Sequence, residues 1–201
     1  IIGDRAYGNN APKISALAMA ACEGLLAGGI LPVIKHIPGH GRANVDSHKA
    51  LPYVEANMDT MVISDFVPFK NLNFMPWAMT AHVLYKELDE EMPATISVKV
   101  INIIRNDIGF DGVLISDDLS MKALDGSLKS RTAGALAAGC DVALHCNGEM
   151  VEMMEVASGG IPLANKAIKR IERAENLRLQ NKEAIDGVFD DYVQKLKVMM
   201  T

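Results

Sequence analysis

Between Lys35 and His48 the chain reads KHIPGHGRANVDSH. Fourteen residues thus carry Lys35, the imidazoles of His36, His40 and His48, and the Asp46 carboxylate. The stretch follows an apolar run, Ile30-Leu31-Pro32-Val33-Ile34, that predicts a buried strand. Pro38, Gly39 and Gly41 rule out a helix and impose a tight turn. Titratable groups on a loop leaving a strand build a site rather than a core. The chemistry on offer is proton transfer near neutral pH. Asp46 and His48, two apart, suit a carboxylate that orients an imidazole; an Asx turn on a surface loop fits the same spacing, which does not choose between them. His36 and His40 are four apart, but Pro38-Gly39 lies between them, so they do not share a helix face as zinc ligands do. No metal and no cofactor is expected.

A second acidic site follows the apolar run Val113-Leu114-Ile115, where Ser116, Asp117 and Asp118 close a short strand. Successive strand side chains point to opposite faces, so one of Asp117 and Asp118 faces the strand-end cleft. The other caps a helix or pairs locally, and taken alone an acidic pair at a strand end is most often a helix cap. Arg5, His82 and His145 also stand where apolar runs end. Each has a plain alternative: Arg5 a surface charge, Lys35 a snorkelling side chain, His82 and His145 satisfied interior groups.

The elements that position these residues alternate. Ile1–Arg5 opens as a strand-like piece. A helix begins near Pro12, runs through Leu26 with apolar residues three and four apart, and ends at Gly28-Gly29. A strand is expected over 31–34, a helix over 59–70, a strand over 78–83 and a charged loop over 87–92. A helix capped by Ser97 runs to Gly109. A strand over 113–115, a helix over 132–138 stopped by Gly139, a strand over 141–144 and a long charged helix over 163–184 complete the pattern. Short apolar strands alternating with helices predict an α/β fold with a parallel sheet covered on both faces. Sites in such folds lie at the carboxyl ends of the strands, in closed barrels and open sheets alike.

The chain has 201 residues, 49% hydrophobic and 22% charged, with a net charge of -5. That composition suits a globular domain and speaks against nucleic acid as a partner. No apolar run reaches the ~20 residues of a membrane span, so no membrane partner is expected. Cys22, Cys140 and Cys146 lack CxxC spacing and are expected as thiols in a cytoplasmic protein. The first residue is Ile1, and the opening is expected to fall inside a domain.

These motifs together resemble glycoside hydrolase family 3, in its β-N-acetylhexosaminidase branch. KHIPGHG with Asp46-Ser47-His48 is similar to that family's signature, and GFDGVLISDDLSMKAL (109–124) to its nucleophile segment. IIGDRAYG, VPFK (67–70), MTAHV (79–83), PATIS (93–97) and AAGCDVALHCN (137–147) follow in the family's order. The resemblance covers nearly the whole chain and is least diagnostic after Asn147. It implies a single domain over 1–201, the C-terminal portion of a (β/α)8 TIM-type barrel whose early strands are missing from this chain.

The activity implied is removal of terminal β-linked N-acetylglucosamine with retention, the substrate being a saccharide that contains that sugar. In bacteria close relatives act on cell-wall muropeptides in the cytoplasm during peptidoglycan recycling. By motif position Asp117 is the nucleophile, and His48 the acid/base paired with Asp46. Arg5, Lys35 and His36 contact the sugar, with His82 and Met121 lining the pocket. The relatives' early strands supply an Asp and an Arg to the sugar. This chain by itself is therefore expected to be inactive until an N-terminal segment is supplied, or to self-associate through exposed sheet edges. The alternative reading is a catalytically silent fragment that acts as a self-associating or binding module.

Overall fold

The computed structural model describes residues 2–43, 45 and 51–180. Asp46 and His48 lie outside the described residues, as does the end of the long charged helix.

The chain opens with a 3-10 turn, Gly3–Arg5, rather than the expected strand. Gly3 has φ +64, a left-handed conformation that a strand does not contain, and Ala6 N–H closes the turn on Gly3 O at 3.1 Å. Helix α1 (Ala11–Ala27) follows. Asn10 Oδ1 accepts the Lys13 N–H at 3.0 Å, and Pro12 occupies the first turn, where its missing N–H leaves no bond unmade.

Strand β1 (Val33–Ile37) starts two residues later than the apolar run suggested and takes in Lys35 and His36. The short strand β2 is Tyr53–Val54. The single helix expected over 59–70 is two, α2 (Met58–Ile63) and α3 (Val67–Asn71). Pro68 has no N–H to donate to the Ser64 carbonyl, so the α2 ladder cannot continue into α3. The Ser64 hydroxyl turns back to Thr60 O at 2.6 Å in the break.

Strands β3 (Trp77–Thr80) and β4 (Leu84–Tyr85) come next, then a 3-10 turn at Ala94–Ile96 and helix α4 (Val98–Asn106). Ser97 caps α4 as expected, its Oγ accepting Val100 N–H at 3.1 Å. Strand β5 (Val113–Asp118) includes both aspartates. Helix α5 (Leu128–Ala138) begins a turn earlier than expected, because Ser127 caps it, and ends at Gly139 with φ +115. Strand β6 (Val142–Leu144) precedes helix α6 (Met150–Ser158), which the sequence reading did not anticipate, and a further helix spans 165–180.

The main sheet has the order β1-β3-β5-β6, and every pair is parallel. The α/β expectation therefore holds. β2 and β4 form a second parallel pair. The core under the main sheet is built from Ile37, Met61, Phe66, Tyr85, Ile104 and Phe110, all fully buried. Because the four main strands run the same way, their carboxyl ends share one edge. That edge brings together His36, Thr80, Asp117 and Leu144, with His82 and His145 one or two residues beyond.

Candidate active site

Asp117 is the acidic centre of that edge and is 8% exposed. Its amide donates to Thr80 Oγ1 at 3.3 Å, and its Oδ1 accepts the Asp118 N–H at 2.9 Å. The other carboxylate oxygen, Oδ2, faces His36 Nε2 across 3.7 Å, too far for a direct hydrogen bond. The two neighbouring aspartates divide as strand alternation requires. Asp118 turns to local partners: its carboxylate accepts Ser120 N–H at 3.0 Å, Ser120 Oγ–H at 2.6 Å and Cys146 N–H at 3.2 Å. It is therefore spoken for by the loop after β5, whereas Asp117 keeps an oxygen directed at the cleft.

His36 lies beside His40, ring centroids 5.5 Å apart and edge to face. Burial, the larger effect, holds the His36 pKa at about 4 against the opposing pull of Asp117; His40, Lys35 and Arg5 push the same way as burial. The ring is thus neutral at pH 7. An unfolded chain takes up a proton here below about pH 6.5 and the folded one does not until about pH 4, so acid favours unfolding. Stability intact above about pH 6.5 should fall by up to about 3 kcal/mol as pH drops to about 4. Urea midpoints measured at about pH 7 and about pH 4.5 check this, with His36→Gln, which cannot titrate, giving a smaller drop. Equal drops in the two proteins would remove His36 as the cause.

Lys35 is exposed, and it shares with Arg5, His36 and His40 a groove of about 710 Å³ between α1 and β1. Tyr85 fixes the floor of the turn that carries His40, its hydroxyl donating to Gly39 O at 2.6 Å. Arg42 reinforces the turn through two bonds to the Asp65 carboxylate, at 2.8 and 3.0 Å. The structure thus brings Arg5, Lys35 and His36 to one groove beside the edge where Asp117 stands.

His82 and Met121 sit differently from the other sugar-contact candidates. His82 is fully buried, with Nδ1 2.7 Å from Thr95 Oγ1 and Nε2 3.0 Å from the Asp118 carbonyl oxygen. Met121 is 7% exposed, and its carbonyl accepts from Arg131. His145 is buried between two carboxylates, 3.8 Å from Asp118 and 3.3 Å from Glu152. Thr80 and Thr95 are not among the candidate residues of the sequence, yet their hydroxyls reach the backbone of Asp117 and the ring of His82. PATIS was visible as a motif, but no spacing rule ties Thr95 to Thr80 fifteen residues away. A second cavity, about 780 Å³, lies at the opposite ends of β3 and β5 and is lined by Pro76, Gly112 and Arg170. It lies away from the carboxylates and imidazoles of this edge, and its Arg170 is already paired with Asp111 and Asp141.

A parallel α/β sheet with a buried carboxylate at the end of β5, and basic and imidazole groups at the end of β1 two strands away, places its candidate site where α/β enzymes carry theirs. A family model described as the glycosyl hydrolase family 3 N terminal domain matches residues 1–178. The chain belongs to glycosyl hydrolase family 3. A β-hexosaminidase of Pseudomonas aeruginosa is 37% identical over 199 residues, 97% of this chain and 57% of the relative. One from Methylobacillus flagellatus is 40% identical over 152 residues, 73% of this chain and 43% of the relative. Among solved structures, NagZ from Neisseria gonorrhoeae in complex with N-trifluoroacetyl-D-glucosamine superimposes with a TM-score of 0.76 at 35% identity, covering 86% of this chain and 50% of that one. A family 3 β-N-acetylglucosaminidase from Paenibacillus sp. gives 0.77 at 29% identity, over 92% of this chain and 37% of that one. The chain thus spans about half the length of the relatives it matches. Among the described residues no helix is long and apolar enough to cross a membrane.

Proposed function

We propose that this chain forms part of a retaining β-N-acetylhexosaminidase that removes terminal β-linked N-acetylglucosamine, in bacteria from cytoplasmic peptidoglycan-derived muropeptides. The observation that carries the reading is Asp117: a buried carboxylate at a strand end, held through its amide and one oxygen, with the other oxygen facing His36 across 3.7 Å. A nucleophile needs to be fixed in place while keeping a lone pair for the reacting carbon.

In this reading the Asp117 carboxylate attacks the anomeric carbon. The bond to the leaving oxygen breaks as the His48 imidazolium gives that oxygen its proton. The product is a glycosyl ester on Asp117. Neutral His48 then takes a proton from water, the resulting hydroxide equivalent attacks the anomeric carbon, and Asp117 is released. Asp46 orients the His48 ring, while Arg5, Lys35 and His36 contact the sugar and Met121 backs the pocket. A histidine in the acid/base role adds no negative charge beside Asp117 and titrates near neutral pH. Four parallel strands are half of what a closed barrel of this type uses. The reading accordingly assigns the remaining sugar contacts to strands beyond the four of the main sheet, as in a (β/α)8 barrel.

The test is hydrolysis of β-N-acetylglucosaminides, by this chain alone and joined to the remaining length of the Pseudomonas aeruginosa relative. The product should keep the β configuration. His48→Ala should slow alkyl or saccharide leaving groups by roughly 100-fold or more, yet leave activated aryl glycosides within about tenfold, because only poor leaving groups need the proton. Inversion of configuration, or an equal loss on both substrate classes, would reject the mechanism.

A further inference from the structure

The backbone that carries Asp117 is gripped at two points by side chains from other elements. Asp117 N–H donates to Thr80 Oγ1, at the end of β3, at 3.3 Å. The Asp118 carbonyl oxygen lies 3.0 Å from His82 Nε2. Both grips converge on a single atom, Thr95 Oγ1, in the 3-10 turn Ala94–Ile96. That oxygen is 2.8 Å from Thr80 Oγ1 and 2.7 Å from His82 Nδ1. Thr80, His82 and Thr95 are all fully buried.

Counting protons gives each bond its direction. A carbonyl oxygen only accepts, so His82 Nε2 carries a hydrogen and donates to Asp118 O. Thr95 has one hydroxyl hydrogen and three neighbours: Thr80 Oγ1, His82 Nδ1 and Ala81 O, the last at 3.1 Å. Were it to donate to Ala81 O, His82 would have to donate from Nδ1 as well and become a fully buried cation. Burial, the largest influence on the ring, opposes that charge and lowers its pKa, against the pull of Asp117 and Asp118. With a neutral ring one arrangement gives every donor an acceptor and both ring nitrogens a partner, the Thr95 hydrogen going to His82 Nδ1 at 2.7 Å rather than to Ala81 O at 3.1 Å. Asp117 N–H donates to Thr80, Thr80 O–H to Thr95, Thr95 O–H to His82 Nδ1, and His82 Nε2–H to Asp118 O.

We propose that Thr95 and Thr80 are positioning residues for the Asp117 carboxylate: their hydroxyls hold His82 as the neutral Nε2–H tautomer and close a circuit that clamps the Asp117-Asp118 segment at its amide and its carbonyl. The consequence for rate rests on reading Asp117 as the nucleophile; the tautomer does not. A fixed strand end presents the carboxylate at one angle to the anomeric carbon, and misplacing a reacting group by about 1 Å can cost on the order of 100-fold in rate.

The test begins with nitrogen NMR of the histidine rings in the full chain, from about pH 6 to about pH 8. His82 should show a protonated Nε2 and a bare Nδ1 throughout. Thr95→Val, equal in size but without the hydroxyl, should lose that single signature, and Thr95→Ser should restore it. In the hydrolysis assay Thr95→Val should lower kcat about 10- to 100-fold with KM within about threefold, and Thr95→Ser should recover most of the loss. A wild-type ring protonated at Nδ1, a Val variant that keeps the single tautomer, or a Ser variant no better than Val would each overturn the clamp. If Thr95→Val does not fold, the wild-type tautomer and its retention in Thr95→Ser decide the matter. A ring with the expected tautomer in a protein whose Asp117 accepts no sugar would reject the glycosidase reading and leave the clamp in place.

Discussion

Replacing Asp117 with alanine is expected to abolish hydrolysis of an aryl β-N-acetylglucosaminide, by roughly four orders of magnitude, in any form of the protein that turns over. The size of the effect follows from what is removed. Without the carboxylate no glycosyl ester can form, and the double displacement loses its first bond. Asp118→Asn removes a charge but leaves an oxygen for the Ser120 and Cys146 amides, which Asp118 serves in the fold. It should retain activity within about tenfold of the parent. A slow fluorinated glycosyl fluoride, which forms the ester faster than the ester is hydrolysed, locates the bond by peptide mass. An adduct on Asp118, or full turnover in Asp117→Ala, would reassign the nucleophile.

Asp117 was legible in the sequence because an apolar run long enough to be a buried strand ends in it, and such ends are where parallel sheets place their sites. The choice of Asp117 over Asp118 needed the family motif, since alternation says that one faces the cleft without saying which. Lys35 and His36 were legible for the same reason as Asp117. The clamp behind Asp117 was not. His82 stands out in the sequence as a strand-end group, but nothing there links it to Thr80 or Thr95, and only the return of the chain through Ala94–Ile96 brings Thr95 onto the other two. Helix α6 escaped because at nine residues it is shorter than the window in which a helical period can be read, and it buries none of them. β2 and β4 are two-residue strands, below the length at which alternation can be seen. Pro68 marked the break between α2 and α3, but its position near the end of the expected helix let it pass as a terminus.

The framework that holds these strand ends in register is anchored at the opposite end of the sheet, and Asp141→Ala is expected to unfasten it at a cost of about 3–5 kcal/mol. Asp141 is 8% exposed and stands just before β6. Its Oδ2 accepts Arg105 Nη2 at 2.8 Å and Leu114 N–H at 2.9 Å, and its Oδ1 accepts Arg170 Nη1 at 3.0 Å. Its own amide donates to Leu114 O at 2.8 Å. One carboxylate thus joins β6 to β5, to the end of α4 and to the helix over 165–180. Arg105 depends on it: burial works against that guanidinium's charge, Asp141 supports it, and its other donors reach only the Phe110 and Gly112 carbonyls, at 3.0 and 2.8 Å. Alanine would leave a buried N–H unpaired and two guanidinium groups, each 14% exposed, without their shared carboxylate. Asp141→Asn keeps an acceptor for Leu114 N–H and should cost less, about 1–3 kcal/mol. Lys86→Ala, which removes an exposed pair with Glu55, is the control and should leave the urea midpoint where it was. The order alanine, asparagine, parent in the midpoints is the signature of a buried charge network. An alanine variant within about 1 kcal/mol of the parent would mean that packing of β5 against β6 holds the register without Asp141.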